Sequence, residues 1–192
     1  MKYKLEKLPK ESNTSMKKLN AEQLRNSNPT KEDLSKIKRN PLYFVLDRII
    51  DTYNTGSLFR LADAVGVEKM YMAGKMEYPP NSRIHKAAVG TENWVPWEKT
   101  DSTLETVKML KEKGVHIIAI EQNDKSIPYR ELTKHITFPL ALVIGNESYG
   151  IEKEVLHEVD TIVELPMHGV NISFNTWGAA AVVAYRVLET LK

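Results

Sequence analysis

The sequence predicts an α/β fold built on a mostly parallel sheet flanked by helices. Three observations carry that expectation. Five stretches of strand length, residues 42–46, 69–73, 115–120, 140–144 and 161–165, are distributed along the chain. Helical spacing separates them: Leu58, Leu61, Ala62 and Val65 precede Gly66, and Leu104, Val107, Met109 and Leu110 precede Gly114. Several strands break directly into loops of Gly, Asn and Ser, the pattern by which an open sheet gathers ligand-binding loops at its carboxyl edge.

Residues 1–39 read as a basic extension and residues 40–192 as one domain, a size with room for a proper core. The first 40 residues hold eleven Lys/Arg against five acids, so this end carries +6 and the remainder −4 of a net +2. Such a leader fits a polyanion partner such as RNA, or a solvated tail. Within it, Thr30 and the acids after it are placed to cap a short helix running through Ile37. The run Leu42-Tyr43-Phe44-Val45-Leu46 has no polar face, as expected for a strand covered on both sides. Residues 74–97 read as a long connection rich in Pro, Gly and polar residues. Arg83, His85 and Lys86 there suit phosphate, and Trp94 and Trp97 are expected to pack rather than stack. The two later runs, 140–144 and 161–165, are joined by a short acidic spacer, and a helix is expected from Asn171 onward.

Composition narrows the function classes. Hydrophobic residues at 42% and charged residues at 27% are ordinary for a globular chain. No apolar run reaches the ~18 residues of a membrane span, the N-terminus lacks the apolar core of a secretory signal, and cysteine is absent. These features lead us to expect a cytoplasmic protein without disulfide, thiolate or metal chemistry; His85 has no second ligand at metal spacing. No G-x-G-x-x-G follows the first strand, and no P-loop or nucleophile-elbow motif occurs.

What the chain does contain is three polar loops after strands. The first is Asn54-Thr55-Gly56-Ser57-Leu58-Phe59-Arg60, followed by Asp63-Ala64. The second holds Val143, Gly145, Glu147 and Gly150. The third holds Leu165-Pro166-Met167, Gly169, Ser173 and Asn175. In order and spacing they resemble the three motifs of the SPOUT superfamily, specifically the SpoU/TrmH-type RNA 2′-O-ribose methyltransferases. The segment Ile84 to Gly90 is similar to the stretch after that family's second strand. Phe174 stands where the third motif has leucine, Trp177 where it has a second serine, and Thr91 where alanine is usual.

The resemblance implies a deep C-terminal trefoil knot, S-adenosylmethionine as methyl donor, a homodimer and an RNA substrate, with tRNA favoured over rRNA. It places Gly145, Leu165 and Phe174, with Glu121 as a further candidate, around the cofactor. Arg60 becomes the principal catalytic residue, either accepting the ribose proton with phosphate assistance or stabilising the oxyanion. An arginine is a poor base, its pKa exceeding about 12, which favours the second role. Asn54, Glu147, Ser173 and Asn175 would position Arg60, the ribose and the loops; Arg83 and Lys86 would contact RNA phosphates. The competing reading is a non-catalytic RNA-binding protein on the same fold. A different nucleotide-binding enzyme, or base rather than ribose methylation, also stays open.

Overall fold

The computed structural model describes residues 18–191. Two short helices, α1 (Ala21–Asn26) and α2 (Lys31–Ser35), occupy the end of the extension. Asn20 and Thr30 cap them through reciprocal boxes with Gln23 and Asp33, so α2 begins where the sequence placed it and stops short of Ile37. The domain then runs β1 (Asn40–Asp47), α3 (Thr52–Ala64), β2 (Val67–Ala73), α4 (Ser82–Ala88), β3 (Trp97–Thr100), α5 (Thr103–Glu112), β4 (His116–Ile120), β5 (Ile127–Pro128), β6 (Leu140–Ile144), α6 (Lys153–Glu158), β7 (Thr161–Glu164) and α7 (Thr176–Leu188).

The seven strands lie in the order β3-β2-β1-β6-β4-β7-β5, and every ladder between them is parallel. Period-two alternation divides the central strands between two cores. Leu42, Phe44 and Leu46 of β1, with Leu140, Leu142 and Ile144 of β6, join the larger core, to which α3, α4 and α7 contribute Leu58, Ile84 and Val183. Val45, Ala141 and Val143 face the other way onto Val107 and Leu110 of α5 and Val155 of α6. Both faces are covered, which is why these strands read as unbroken apolar runs.

Register fixes where the loops emerge. Leu46 pairs with Ile144, Ile144 with Ile120, and Ile120 with Val163. The four central strands therefore end level, and Asp47, Gly145, Glu121 and Glu164 stand along one rim. Between α3 and α4 the packing is close because of Gly56. A Cβ there would lie 2.5 Å from Ala87 Cβ, 2.7 Å from the Ile84 carbonyl oxygen and 2.8 Å from Ala88 N. Backbone cannot yield as a side chain can, so Gly56→Ala is expected to cost about 3 kcal/mol, read as a lower urea midpoint.

Several expectations need correction. The connection 74–97 is not all loop: α4 and the 3₁₀ turn Thr91–Asn93 lie within it. Edge strands β3 and β5 were missed because one is polar (Trp-Glu-Lys-Thr) and the other only two residues long. The acidic spacer forms α6, and α7 starts at Thr176, not Asn171. Trp94 is buried, and Trp97 packs against the core while staying half-exposed. Among the described residues no helix is long and apolar enough to cross a membrane.

Candidate functional site

Glu147, in the loop after β6, reaches across to the connection between β1 and α3. Its Oε2 accepts the N–H of Ile50 at 2.8 Å; its Oε1 accepts the N–H of Asp51 at 3.0 Å and the Asn54 side-chain amide at 2.8 Å. Burial alone would push this carboxyl up. The bonds from Asn54, Ile50 and Asp51 together outweigh it and hold the group below its ordinary range. Asn54 in turn accepts from the Asn175 amide at 3.2 Å, and Asn175 caps α7 by accepting the Trp177 N–H at 3.0 Å. One hydrogen-bonded chain thus ties together the loops after β1, β6 and β7.

A second brace stiffens the β6 loop. Asn146 donates to the Arg48 carbonyl at 2.6 Å and accepts the N–H groups of Ser148 and Tyr149 at 2.9 and 3.0 Å. Arg48 sits in the left-handed region (φ 53°) with its guanidinium on the fully buried Asp47, at 2.8 and 3.0 Å, and on Glu152 at 2.6 Å. Thr103 completes the Asp47 shell at 2.6 Å. From the segment after β7, Ile172 accepts through its carbonyl from the Gln122 side chain at 2.9 Å, and the Thr176 hydroxyl donates to the Gly145 carbonyl at 3.0 Å.

These loops enclose a cleft of about 780 Å³ at the carboxyl rim. Gly145, Leu165, Phe174 and Glu121 line it, as do Glu147, Ser173 and Asn175. Asn54 is buried and joins the cleft through its bonds to Glu147 and Asn175. Ser173 is exposed and bonds through its N–H to Asn171 at 3.1 Å. Glu121 has a second part besides lining the cleft: its Oε2 accepts the Ile151 N–H at 2.9 Å and its Oε1 the Gln122 N–H at 3.0 Å, so both oxygens also hold the loops. Gly178 of α7 packs against the segment just before that helix. A Cβ there would lie 2.9 Å from the Phe174 ring, so this glycine makes room for Phe174 of its own chain.

Three of the residues picked from sequence stand apart from the cleft. Arg60 is exposed on α3, about 9 Å along the helix from Asn54, and makes no hydrogen bond or ion pair among the described residues. It is not paired with Asp63, three positions further along the helix. Arg83 is exposed beside a smaller cavity of about 440 Å³ that also touches Ile50, Asp51, Asn81 and Ser82. Lys86 is exposed on the same helix, α4. Sequence reasoning missed Asn146, Arg48, Gln122 and Thr176; only Asn146 carried a signal, its place between Gly145 and Glu147.

Comparison with known proteins agrees with this geometry. The signature of the SpoU rRNA Methylase family matches residues 41–185 of the 192. A tRNA (guanosine(18)-2'-O)-methyltransferase of Borreliella burgdorferi is 29% identical over 161 residues, covering 84% of this chain and 72% of its own. The 23S rRNA (guanosine-2'-O-)-methyltransferase RlmB of Neisseria meningitidis is 31% identical over 152 residues, 78% of this chain and 59% of its own. Several curated relatives are likewise spanned over less than two thirds of their length. Among solved structures, a TrmH/SpoU tRNA modifying enzyme of A. aeolicus superposes with a TM-score of 0.72 at 27% identity, over 88% of this chain and 81% of its own. An AdoMet-bound rRNA methyltransferase from Sinorhizobium meliloti shares the fold at 23% identity, with a TM-score of 0.73 over 88% of this chain and 60% of its own. With a parallel sheet, three loops tied at one rim and a family signature spanning nearly the whole domain, the chain belongs to the SpoU rRNA methylase family.

Proposed function

We propose that this protein methylates a ribose 2′-hydroxyl of RNA, with S-adenosylmethionine as the donor. The observation that carries the reading is the Glu147–Asn54–Asn175 chain, which brings all three sequence motifs to one rim beside a cleft. The cleft fits the donor: its volume of about 780 Å³ lies in the range of about 300–1,000 Å³ usual for such sites. Its wall combines residues at the ends of β4, β6 and β7 (Glu121, Gly145 and Glu164) with the apolar residues Ile120, Leu165 and Phe174. Those residues and Gly145 would hold the cofactor, which supplies an electrophilic methyl group when bound.

The rest of the work falls to this chain. Transfer to a hydroxyl needs the acceptor aligned, its proton removed and water excluded. Asn54, Glu147 and Asn175 hold the loops, and Ser173 sits on the exposed segment at the cleft mouth. Arg60, exposed and free of partners among the described residues, holds the substrate phosphate and stabilises the oxygen as its proton passes to that phosphate or to water. Arg83, Lys86 and the basic extension add salt-dependent phosphate contacts. We favour tRNA because the tRNA-directed relatives are matched over more of their own length, 72% and 81%, than the rRNA-directed ones at 59% and 60%. The cytoplasm is the compartment this chemistry implies.

We also infer a trefoil knot and a homodimer. The segment 165–175 is bonded to the loop after β4 and to α3, and Thr176 at the start of α7 to the loop after β6, before α7 packs beside α3, a path suited to threading. Trp177, Val182 and Tyr185 are exposed along α7, with Phe174, Ile50 and Tyr53 exposed near its start. This is an apolar surface for a second copy. Sedimentation should give twice the 21.9 kDa chain mass, and Tyr185→Arg should reduce it toward one chain.

The deciding experiment is transfer of labelled methyl from S-adenosylmethionine to unmodified tRNA and rRNA, followed by nucleoside mapping. A 2′-O-methylated nucleoside establishes the reaction and identifies the RNA. RNA binding without transfer would move the protein to the non-catalytic reading, and a methylated base would overturn the ribose assignment.

A further inference from the structure

We propose that the shelf walled by Pro79, Pro80, His85, Asn93 and Trp97 is a subsite for one unpaired RNA nucleotide flanking the methylated one. It rests on RNA being the substrate. The shelf bounds a cavity of about 560 Å³, roomy enough for a nucleotide. Its aromatic floor is fixed: Trp97, half-buried, meets Phe59 of the core edge-on, with ring centres 6.4 Å apart at 85°. A ring already locked by packing loses little freedom when a base stacks on it.

The polar wall is built on a buried carboxylate that the methylation cleft does not use. The Glu92 side chain is 7% exposed; one oxygen meets His85 Nδ1 and the other has no partner among the described residues. Burying such a group costs stability unless something is gained. Here it engages His85 Nδ1 and leaves Nε2 as the ring's uncommitted nitrogen, on a side chain that lines the cavity. Together with the exposed Asn93 amide, Nε2 supplies hydrogen-bonding groups above an aromatic floor, which is what reading a splayed-out base requires.

Position supports the same assignment. Asn81 and Ser82 line both this cavity and the smaller one that touches Arg83, Ile50 and Asp51. Ile50 and Asp51, which touch the smaller cavity, donate to Glu147 of the cleft wall, so the cavity beside Arg83 lies between the cleft rim and the shelf. The basic extension docks at this corner too. Gly90 (φ 91°), just before the turn that carries Glu92 and Asn93, lies under α1; a Cβ there would clash with the Leu24 main chain and stand 3.0 Å from Arg25 N. Arg39 anchors the other end of the extension on the Trp94 carbonyl at 2.8 Å.

The test uses the full chain with unmodified tRNA and rRNA as probes. His85→Ala and Asn93→Ala should each raise KM for the methylated RNA about tenfold. Melting temperature, S-adenosylmethionine affinity and kcat at saturating RNA should stay unchanged. Ultraviolet cross-links from bound RNA should fall within residues 76–99. Unchanged KM in both variants, or cross-links confined elsewhere, overturns the shelf while leaving the methyltransferase reading intact. A fall in melting temperature and cofactor affinity in His85→Ala, with Asn93→Ala silent, also overturns it and makes the His85–Glu92 pair a structural staple. A wild-type chain that binds no RNA overturns both.

Discussion

Arg60→Ala is expected to lower kcat/KM for RNA by about 10²–10³-fold, the usual loss when a preorganised donor to a developing oxyanion is removed. The same variant should bind S-adenosylmethionine normally, because Arg60 does not line the cleft. Its stability should change by no more than about 0.5 kcal/mol, since the side chain is exposed and unpartnered among the described residues. That separation of effects is what makes the experiment informative. Arg60→Lys should restore only part of the loss, because an ammonium supplies a point charge without the planar fork that grips phosphate at two points. Steady-state kinetics with varied RNA, beside calorimetric titration of the cofactor, read both quantities. Full activity in Arg60→Ala would remove Arg60 from the mechanism.

The second large effect belongs to Glu147→Gln. The carboxylate serves three donors, two of them main-chain N–H groups. An amide keeps one oxygen and turns an N–H₂ toward donors, so two motifs lose their common anchor. Misplacement by about 1 Å is enough to cost roughly 10²-fold in rate, and kcat/KM should fall by about that factor. Acid should reproduce the effect. The folded-state carboxyl sits below its ordinary range, so between its unfolded and folded values the unfolded chain binds more protons. Its contribution to stability is therefore complete above the ordinary value of about 4.3 and is lost as pH falls through the lower, folded one. Wild type and Glu147→Gln should differ most in melting temperature at neutral pH and converge on acidification below about pH 4. A difference independent of pH would show that charge on Glu147 is immaterial.

What the sequence revealed follows from which residues face the interior. β1, β4 and β6 are covered on both faces, and an unbroken apolar run such as Leu42 to Leu46, too short for a helix of its own, points to such a strand. β3, with Glu98 and Lys99 exposed at the sheet edge, looks like loop to any reading based on hydrophobic pattern. The rim residues Asn54, Glu147 and Asn175 were legible because their spacing within polar loops is distinctive. The contacts joining them, over 93 and 121 positions, were not. Asp47 illustrates the remainder. An aspartate after a strand reads as a solvated cap, yet it is fully buried because Arg48 bends back onto it and Thr103 arrives from a separate helix. Glu121 has a part that the sequence did not show: it lines the cleft, and its oxygens also hold the protein's own backbone.

The placement of β6 between β1 and β4 also governs how the chain is made. On the ribosome, β1 and β4 emerge before the strand that joins them, and about 100 further residues separate the end of β1 from β6, some 5–20 s of synthesis at ordinary elongation rates. Through that interval β1 presents an apolar edge with unpaired amides, joined by β4 over about the last 20 residues, the kind of surface on which nascent chains cross-associate. Closure waits for residues 140–144, and α7, which covers the larger core, arrives last of all. Closure of the sheet is therefore committed only once β6 has been made, and a chain released before it would hold the β3-β2-β1 half-sheet with β4 and β5 left without partners.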